Sequence, residues 1–449
     1  MFRRILQSIA ASVLGQAGQI LIQLISVPLL IQYWGLDYYG EWLLLFTIPS
    51  YLSLSDAGLA SALSNELLMN ISRKEHAKAA QLLGYGMTAI IGFGVIVSVV
   101  LALGLHLSDF TTWLKIKYIN ESDAWLTLLL LMLYVMLALQ QELLSAVPRA
   151  EGDNAGGRIW ITTTRLIEFG VVILMVSQGR KAETVALTYA IVRGMSWLGM
   201  FLYYRRHYHW VSQVRIGLFP IASIRHLLGP SLAFFGFAFA NSLVLQGSTL
   251  LIGAFMTPTY VVIYTTLRTL CNFIRQIINV LTSAIWPELT RALVDHDFSK
   301  AILLHRRVCQ IAFWSAFLFL IAMEITGGTI LSVWTKGTIQ PVQPVFTVLL
   351  LTALPYSLWN TSATTAISIN RHQSIAFAFV MSSLGALAAA IWLIPRYGLA
   401  GMAIGLLLGD FFMVVRVFQN SLSILLEERI GKFLPAIIMD FAWLSQLRK

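Results

Sequence analysis

Charge is what this sequence lacks most. Of 449 residues only 12% are Asp, Glu, Lys or Arg, while 57% are hydrophobic and the mean hydropathy is +0.75. A soluble globular protein carries about 25% charged residues, so too few remain here to solvate two or three domains of the usual ~150 residues. That shortage excludes cytosolic enzymes, nucleic-acid binders and disordered scaffolds; no nucleic acid is expected as a partner. Cysteine is almost absent. Cys271 and Cys309 lie in or beside apolar stretches, which excludes a disulfide framework and a cysteine metal site. Long polar connections are missing too: the longest, 205–226, leaves no room for a soluble domain. Without a Gly-rich phosphate loop, ATP bound to this chain would not drive its work.

What is present is a succession of apolar runs. A bilayer-crossing helix needs about 20 mostly apolar residues, and twelve segments qualify: 9–33, 40–64, 80–104, 124–147, 159–178, 183–204, 227–254, 258–286, 308–332, 344–369, 375–394 and 399–423. The first runs on too far for a signal peptide and reads as an uncleaved span. With the N-terminus inside, 20 of the 31 Lys and Arg residues fall in inside segments and 6 in outside ones. By the positive-inside rule both termini are expected in the cytoplasm. The expected organisation is a six-helix lobe over 1–204, a basic inter-lobe linker at 205–226, a second six-helix lobe over 227–423 and an amphipathic tail at 424–449. Six spans per half would make any repeat symmetry run along the membrane normal.

Nine charges fall inside spans: Asp56, Arg165, Glu168, Arg193, Arg268, Arg275, Glu324, Asp410 and Arg416. Each costs about 2.5–3.5 kcal/mol at a helix centre, so together they would cost roughly 20–30 kcal/mol facing lipid. A whole fold is stable by only ~5–15 kcal/mol. They are therefore expected to face a cavity, water or each other. In span 8, Arg268, Asn272, Arg275 and Asn279 follow i, i+4, i+7, i+11, one helix face with donors and no acid. Guanidinium groups bind phosphate oxygens in bidentate fashion, so this stripe suits a multivalent anion; alternatively its arginines pair with acids of other spans. Arg165 and Glu168, three apart, either neutralise each other or act separately. Arg193 has no acid nearby in its own span and is a second cationic candidate. Arg416 sits near the inside end of span 12, where it would snorkel.

Polar stripes extend the pattern. Ser8, Ser12, Gln16, Gln19, Gln23 and Ser26 share a face of span 1; Ser242, Gln246, Thr249 and Gly253 one of span 7; Ser357, Asn360, Thr361, Thr364 and Ser368 one of span 10. Either these line a wet lumen, Gln19 and Gln23 foremost, or they glue helices together. Asp56, Glu324 and Asp410, with Glu168, are the candidates for carrying a coupling ion, unless each neutralises an arginine. Pro28, Pro49 and Pro355 are expected to bend their spans. The acidic triplets 151–153 and 295–297 lie in short loops with no room for a nucleotide-sugar fold, and His207 and His209, in the basic loop, lack acidic or cysteine companions for a metal. No cofactor and no metal are expected.

Three stretches carry a resemblance: YWGLDYYGEWLLLFTIPSYLSLSDAGLASALSNEL at 33–67, IWPELTRAL at 285–293 and PRYGLAGMAIGLLLGD at 395–410. They are similar to O-antigen and polysaccharide flippases of the Wzx type, in the multidrug/oligosaccharidyl-lipid/polysaccharide (MOP) exporter superfamily. The resemblance implies a MATE-like all-α polytopic membrane protein of about 12 transmembrane helices, two six-helix lobes around a central cavity, working by alternating access in the bacterial inner membrane. It implies a transporter rather than an enzyme, moving a polyprenyl-pyrophosphate-linked glycan to the periplasmic leaflet beside membrane lipids and other polysaccharide assembly proteins. Arg165, Arg193, Arg268 and Arg275 are the positions matching the family's cationic lumen. The sequence departs from the related lipid II flippases in having no arginine within span 1. A multidrug or cation antiporter would want acids where span 8 has arginines. A membrane-embedded glycosyltransferase or polymerase would want a large outside loop, and the longest, 105–123, has 19 residues.

Overall fold

The computed structural model describes residues 2–56, 59–215, 217, 235–369 and 371–425, and gives the backbone alone for 2–13, 55–56, 59–62 and 154. Every regular element among these residues is a helix. Nine are long and apolar enough to cross a membrane, as expected of a multi-pass membrane protein. Two more expected spans are helical but too polar or too broken to stand among those nine. One is α10 (Pro258–Val294), which carries the arginine stripe; the other is the pair α12 (Val345–Leu351) and α13 (Ala353–Ser368). With the two arms of α1 (Phe2–Ser50) taken separately, the helices fall on the twelve expected segments.

By its packing the chain divides into two units, Met1–Ala238 with Met256–Val262, and Phe239–Phe255 with Ile263–Lys449. In the first, α1 runs through the expected loop at 34–39 as two helical arms that meet in a kink at Gly35 (φ 72°, ψ 173°). The prolines do not supply the bend. Pro28 keeps helical angles, since its ring fixes φ near the helical value and removes only one donor, whereas the left-handed φ of Gly35 is open to glycine at little cost. A turn Tyr51–Asp56 follows, then α2 (Leu59–Ser72), α3 (His76–Leu107), the short α4 (Phe110–Trp113), α5 (Glu121–Leu144), the short α6 (Ala146–Ala150), α7 (Asn154–Ser177) and α8 (Ala182–His207). α5 packs on α8, and α7 on both α1 and α8. At one end of this unit Leu67, Leu83, Met87, Leu144, Val147 and Trp210 form an apolar core. Trp210 draws the first part of the basic linker onto that core, its Nε1 donating to Glu151 at 2.8 Å.

The residues around Gly35, from Trp34 to Glu41, act as a staple. Glu41, fully buried, accepts the backbone N–H groups of Lys117, Tyr118 and Ile119 at 2.6–3.1 Å. Tyr38 OH accepts the N–H of Ala182 at 2.9 Å, Trp34 Nε1 donates to the Arg180 carbonyl at 3.2 Å, and Thr259 donates to Asp37. The acidic triplets serve helix starts: Asp153 caps α7 and Asp297 caps α11 (Phe298–Trp334), each accepting one first-turn N–H. No group of metal-ligating residues occurs among the described residues.

The second unit holds most of α9 (Phe235–Phe255), most of α10, then α11, α12, α13, α14 (Gln373–Tyr397) and α15 (Leu399–Leu425). Lipid tails are as apolar as leucine, so membrane helices associate through close packing and polar contacts. The α14–α15 seam shows both. Gly401, Gly405 and Gly409 recur every fourth residue along α15, and a Cβ on Gly405 would lie 2.6 Å from the Ala386 carbonyl oxygen. Ser382 Oγ donates across the seam to the Gly409 carbonyl at 2.7 Å. Pro355 stands in the first turn of α13, and expected span 10 breaks one turn before it, at Thr352 between α12 and α13, where the ring and missing N–H of a proline interrupt the preceding turn. α9 contains one π turn, Leu243–Gly247.

Candidate functional site

The span 8 stripe folds as read, onto one face of α10. Arg268, Asn272 and Arg275 line a cavity of about 50 Å³ within the second unit. Opposite them stand Thr352 at the α12–α13 break, Tyr356 and Trp359 of α13, and Asp410 of α15. A water molecule needs ~10–15 Å³ of such space, so the cavity holds a few waters and no sugar in this conformation. Asn279 lies beyond it at the surface, where its Oδ1 accepts from Tyr356 OH at 3.1 Å and Asn360 Nδ2 at 3.0 Å.

The two arginines are held differently. Arg275 Nη2 reaches Asp410 Oδ2 at 3.1 Å and Thr352 Oγ1 at 3.0 Å, and its guanidinium lies 4.3 Å from the Tyr356 ring centroid. Trp359 Nε1 donates to the other oxygen of Asp410 at 2.9 Å. Asp410 is thus the partner of Arg275. Among the described residues Arg268 has uncharged partners alone: Nη1 donates to the Leu245 carbonyl at 2.9 Å and Ser248 Oγ at 2.8 Å, Nη2 to Thr249 Oγ1 at 3.5 Å, and the group lies over the Tyr264 ring. The π turn explains the carbonyl: its i→i+5 pattern shifts Leu245 out of the ordinary helical ladder, and Ser248 and Thr249 donate to the same oxygen. Two arginines against one carboxylate leave the cavity with one positive charge, and Arg268 carries it.

The first unit has a polar cluster of another kind. Arg193 on α8 forms a two-pronged pair with Glu168 on α7, both bonds 2.6 Å, with the side chains 5% and 3% exposed. Gln141 accepts from Arg193 Nη1 at 2.8 Å and donates to Ser196 Oγ at 2.8 Å; Tyr134 OH accepts from Nη2 at 3.0 Å. The acid missing from Arg193's own span comes from the neighbouring helix, so this cation is neutralised. Glu168 does not pair with Arg165, which lies exposed on α7 without hydrogen bond or ion pair among the described residues.

The remaining candidates scatter. Gln19 is exposed and Gln23 half-buried on the first arm of α1; Glu324 is exposed on α11. The side chains of Asp56, Ser8 and Ser12, and the tail beyond Leu425, lie outside the described residues. The other two polar stripes are mostly packed inside the unit: Ser242, Thr249, Ser357, Thr361 and Thr364 are all buried. Sequence reasoning passes over Glu41, since an acid on the first turn of a span is ordinary at an interface, and over Thr352, Tyr356 and Trp359, since nothing local marks a side chain as an arginine's partner.

No protein-family model and no curated protein sequence matches the chain. Solved structures do. The lipid II flippase MurJ in an inward closed conformation superposes with a TM-score of 0.65 and 14% identity, over 100% of this chain and 96% of that one. The eukaryotic MATE transporter AtDTX14 gives 0.63 and 15%, over 97% and 98%. An inward-facing multidrug resistance MATE family transporter of the MOP superfamily gives 0.60 and 13%, over 90% and 98%. Likeness at this identity fixes the fold: an all-α polytopic MATE-like membrane protein.

Proposed function

We propose that the chain is a flippase of the MOP type, carrying a polyprenyl-pyrophosphate-linked glycan from the cytoplasmic to the periplasmic leaflet of the bacterial inner membrane. One observation carries the reading: the α10 cavity keeps a net positive charge, on an arginine whose partners are a carbonyl, two hydroxyls and a ring. Phosphate oxygens would outbid neutral acceptors, because hydrogen bonds between ionised partners are about twice as strong. Arg268 is then the residue that receives the pyrophosphate, and Asn272 beside it a neutral donor. Arg275 and Arg193 are engaged by acids, and each holds together helices of its own unit. The cavity is far smaller than a glycan, so the sugar would pass elsewhere while the phosphate head is held. The antiporter reading is weaker here, because Asp410, the acid in this cavity, is already spoken for by Arg275 and Trp359.

Arg268→Ala is the clean test. The variant should reach the membrane in normal amount, stop surface-glycan export and accumulate lipid-linked intermediate in the cytoplasmic leaflet. Purified, it should bind a short isoprenyl pyrophosphate about tenfold or more weakly, the worth of one charge-assisted hydrogen bond. Normal export by Arg268→Ala would end the proposal. Arg275→Ala is a poorer probe, since it strands Asp410.

A further inference from the structure

One arginine has no place in that reading. Arg416 is exposed in the second half of α15, and its one hydrogen bond is a long one, 3.5 Å, to Gln419 Oε1. No acid pairs with it among the described residues. It opens on a cavity of about 230 Å³ between the start of α14 and the end of α15, whose polar lining is Ser374, Arg416, Gln419 and Asn420. Asn420 Nδ2 donates to Ser374 Oγ at 3.1 Å, which leaves the serine hydroxyl hydrogen to be given elsewhere. Asn420 Oδ1 is buried away from the cavity, so the amide presents only its Nδ2 side there. Arg371, also exposed, stands just before the start of α14 beside it. Cations near the start of a helix favour an anion.

The surface around this cavity is just as informative. From Ser374 outward along α14, Phe377, Met381 and Leu384 are 68%, 48% and 45% exposed; from Arg416 along α15, Phe412 and Leu408 are 45% and 54% exposed. Two apolar columns thus rise from one polar cavity. Columns of that kind face lipid chains, whereas the polar cavity lies at the end of the bundle where the basic segments gather, as interfacial arginines do. Head and tails are drawn in outline. We infer that this cavity is the headgroup site of an anionic phospholipid, with phosphatidylglycerol as the probe. Arg416 and the Ser374 hydroxyl take the phosphodiester, and the acyl chains lie along Phe377 and Phe412. Basic pockets between helices on the cytoplasmic side are a general form of lipid recognition. Inorganic phosphate shares the charge but makes no use of the columns.

The test uses the full chain in detergent, with added phosphatidylglycerol, phosphatidylethanolamine or inorganic phosphate. Wild type should retain phosphatidylglycerol in native mass spectra in preference to phosphatidylethanolamine, and be stabilised by it on heating. Arg416→Gln should lower that retention about fivefold, the worth of one arginine against an anionic leaflet, and lose most of the stabilisation. Its lipid-free melting point and elution should match wild type. Ser374→Phe, at an exposed position, should block the cavity without altering charge and lower retention as much; it decides alone if Arg416→Gln does not fold. Equal retention of the two lipids by wild type, unchanged retention in Ser374→Phe or in a folded Arg416→Gln, or equal stabilisation by inorganic phosphate would each overturn the assignment.

Discussion

Arg193 and Arg268 are alike in sequence, each a cation in an apolar run, and opposite in circumstance. Arg193 is enclosed with Glu168, so removing either partner strands a buried charge. Glu168→Leu should destabilise the protein by about 3–5 kcal/mol, while Glu168→Leu with Arg193→Met should recover most of it, as read by chemical or thermal unfolding in detergent. If the double variant is no better than the single, the pair is more than a structural tie. Arg268, whose partners are neutral, should behave otherwise: Arg268→Met should cost far less stability than Glu168→Leu. This contrast marks the limit of what the sequence reveals. The charges and the α10 stripe are legible from spacing alone. Their partners are not, because Glu168 lies 25 residues from Arg193 and Asp410 lies 135 from Arg275, and only the packing of separate helices brings them together.

At the scale of elements, the same substitution should act with opposite sign on two helices. Gly405→Ala thrusts a methyl against the Ala386 backbone and should cost about 1–3 kcal/mol as overpacking. Gly92→Ala, where a Cβ meets nothing within 4 Å, should be neutral or stabilise α3 by about 0.5–1 kcal/mol. Thermal unfolding of both variants checks the pair. Glu41→Gln removes one of two acceptor oxygens from the 117–119 backbone and should cost about 1–3 kcal/mol. Hydrogen exchange should then speed up at 117–119 and stay unchanged in α5. Apolar periodicity locates the helices well because length and hydropathy are local properties. It misplaces one of their breaks. The first span bends at Gly35 rather than at Pro28, since the fold sets where a glycine takes a left-handed angle, whereas span 10 breaks one turn ahead of Pro355, where a proline acts.

For the whole molecule, the skew of basic residues makes a prediction about sidedness. Both native cysteines are buried, so single cysteines can be placed against a quiet background. Lys117→Cys should react with an impermeant maleimide in intact cells, and Arg206→Cys only after permeabilisation; the reverse pattern would invert the topology. The π turn of α9 has a consequence at this scale as well. It winds Leu243–Gly247 with one residue more than an α-helix of that length requires, so α9 holds slack. Drawing that slack out would turn the preceding residues by about 100° about the axis, one residue's worth of helical rotation. Asn241 would swing out of the cavity and a neighbour would swing in. The helix can thus change the face it shows to Arg268 as a threaded rod does, by screwing rather than by bending.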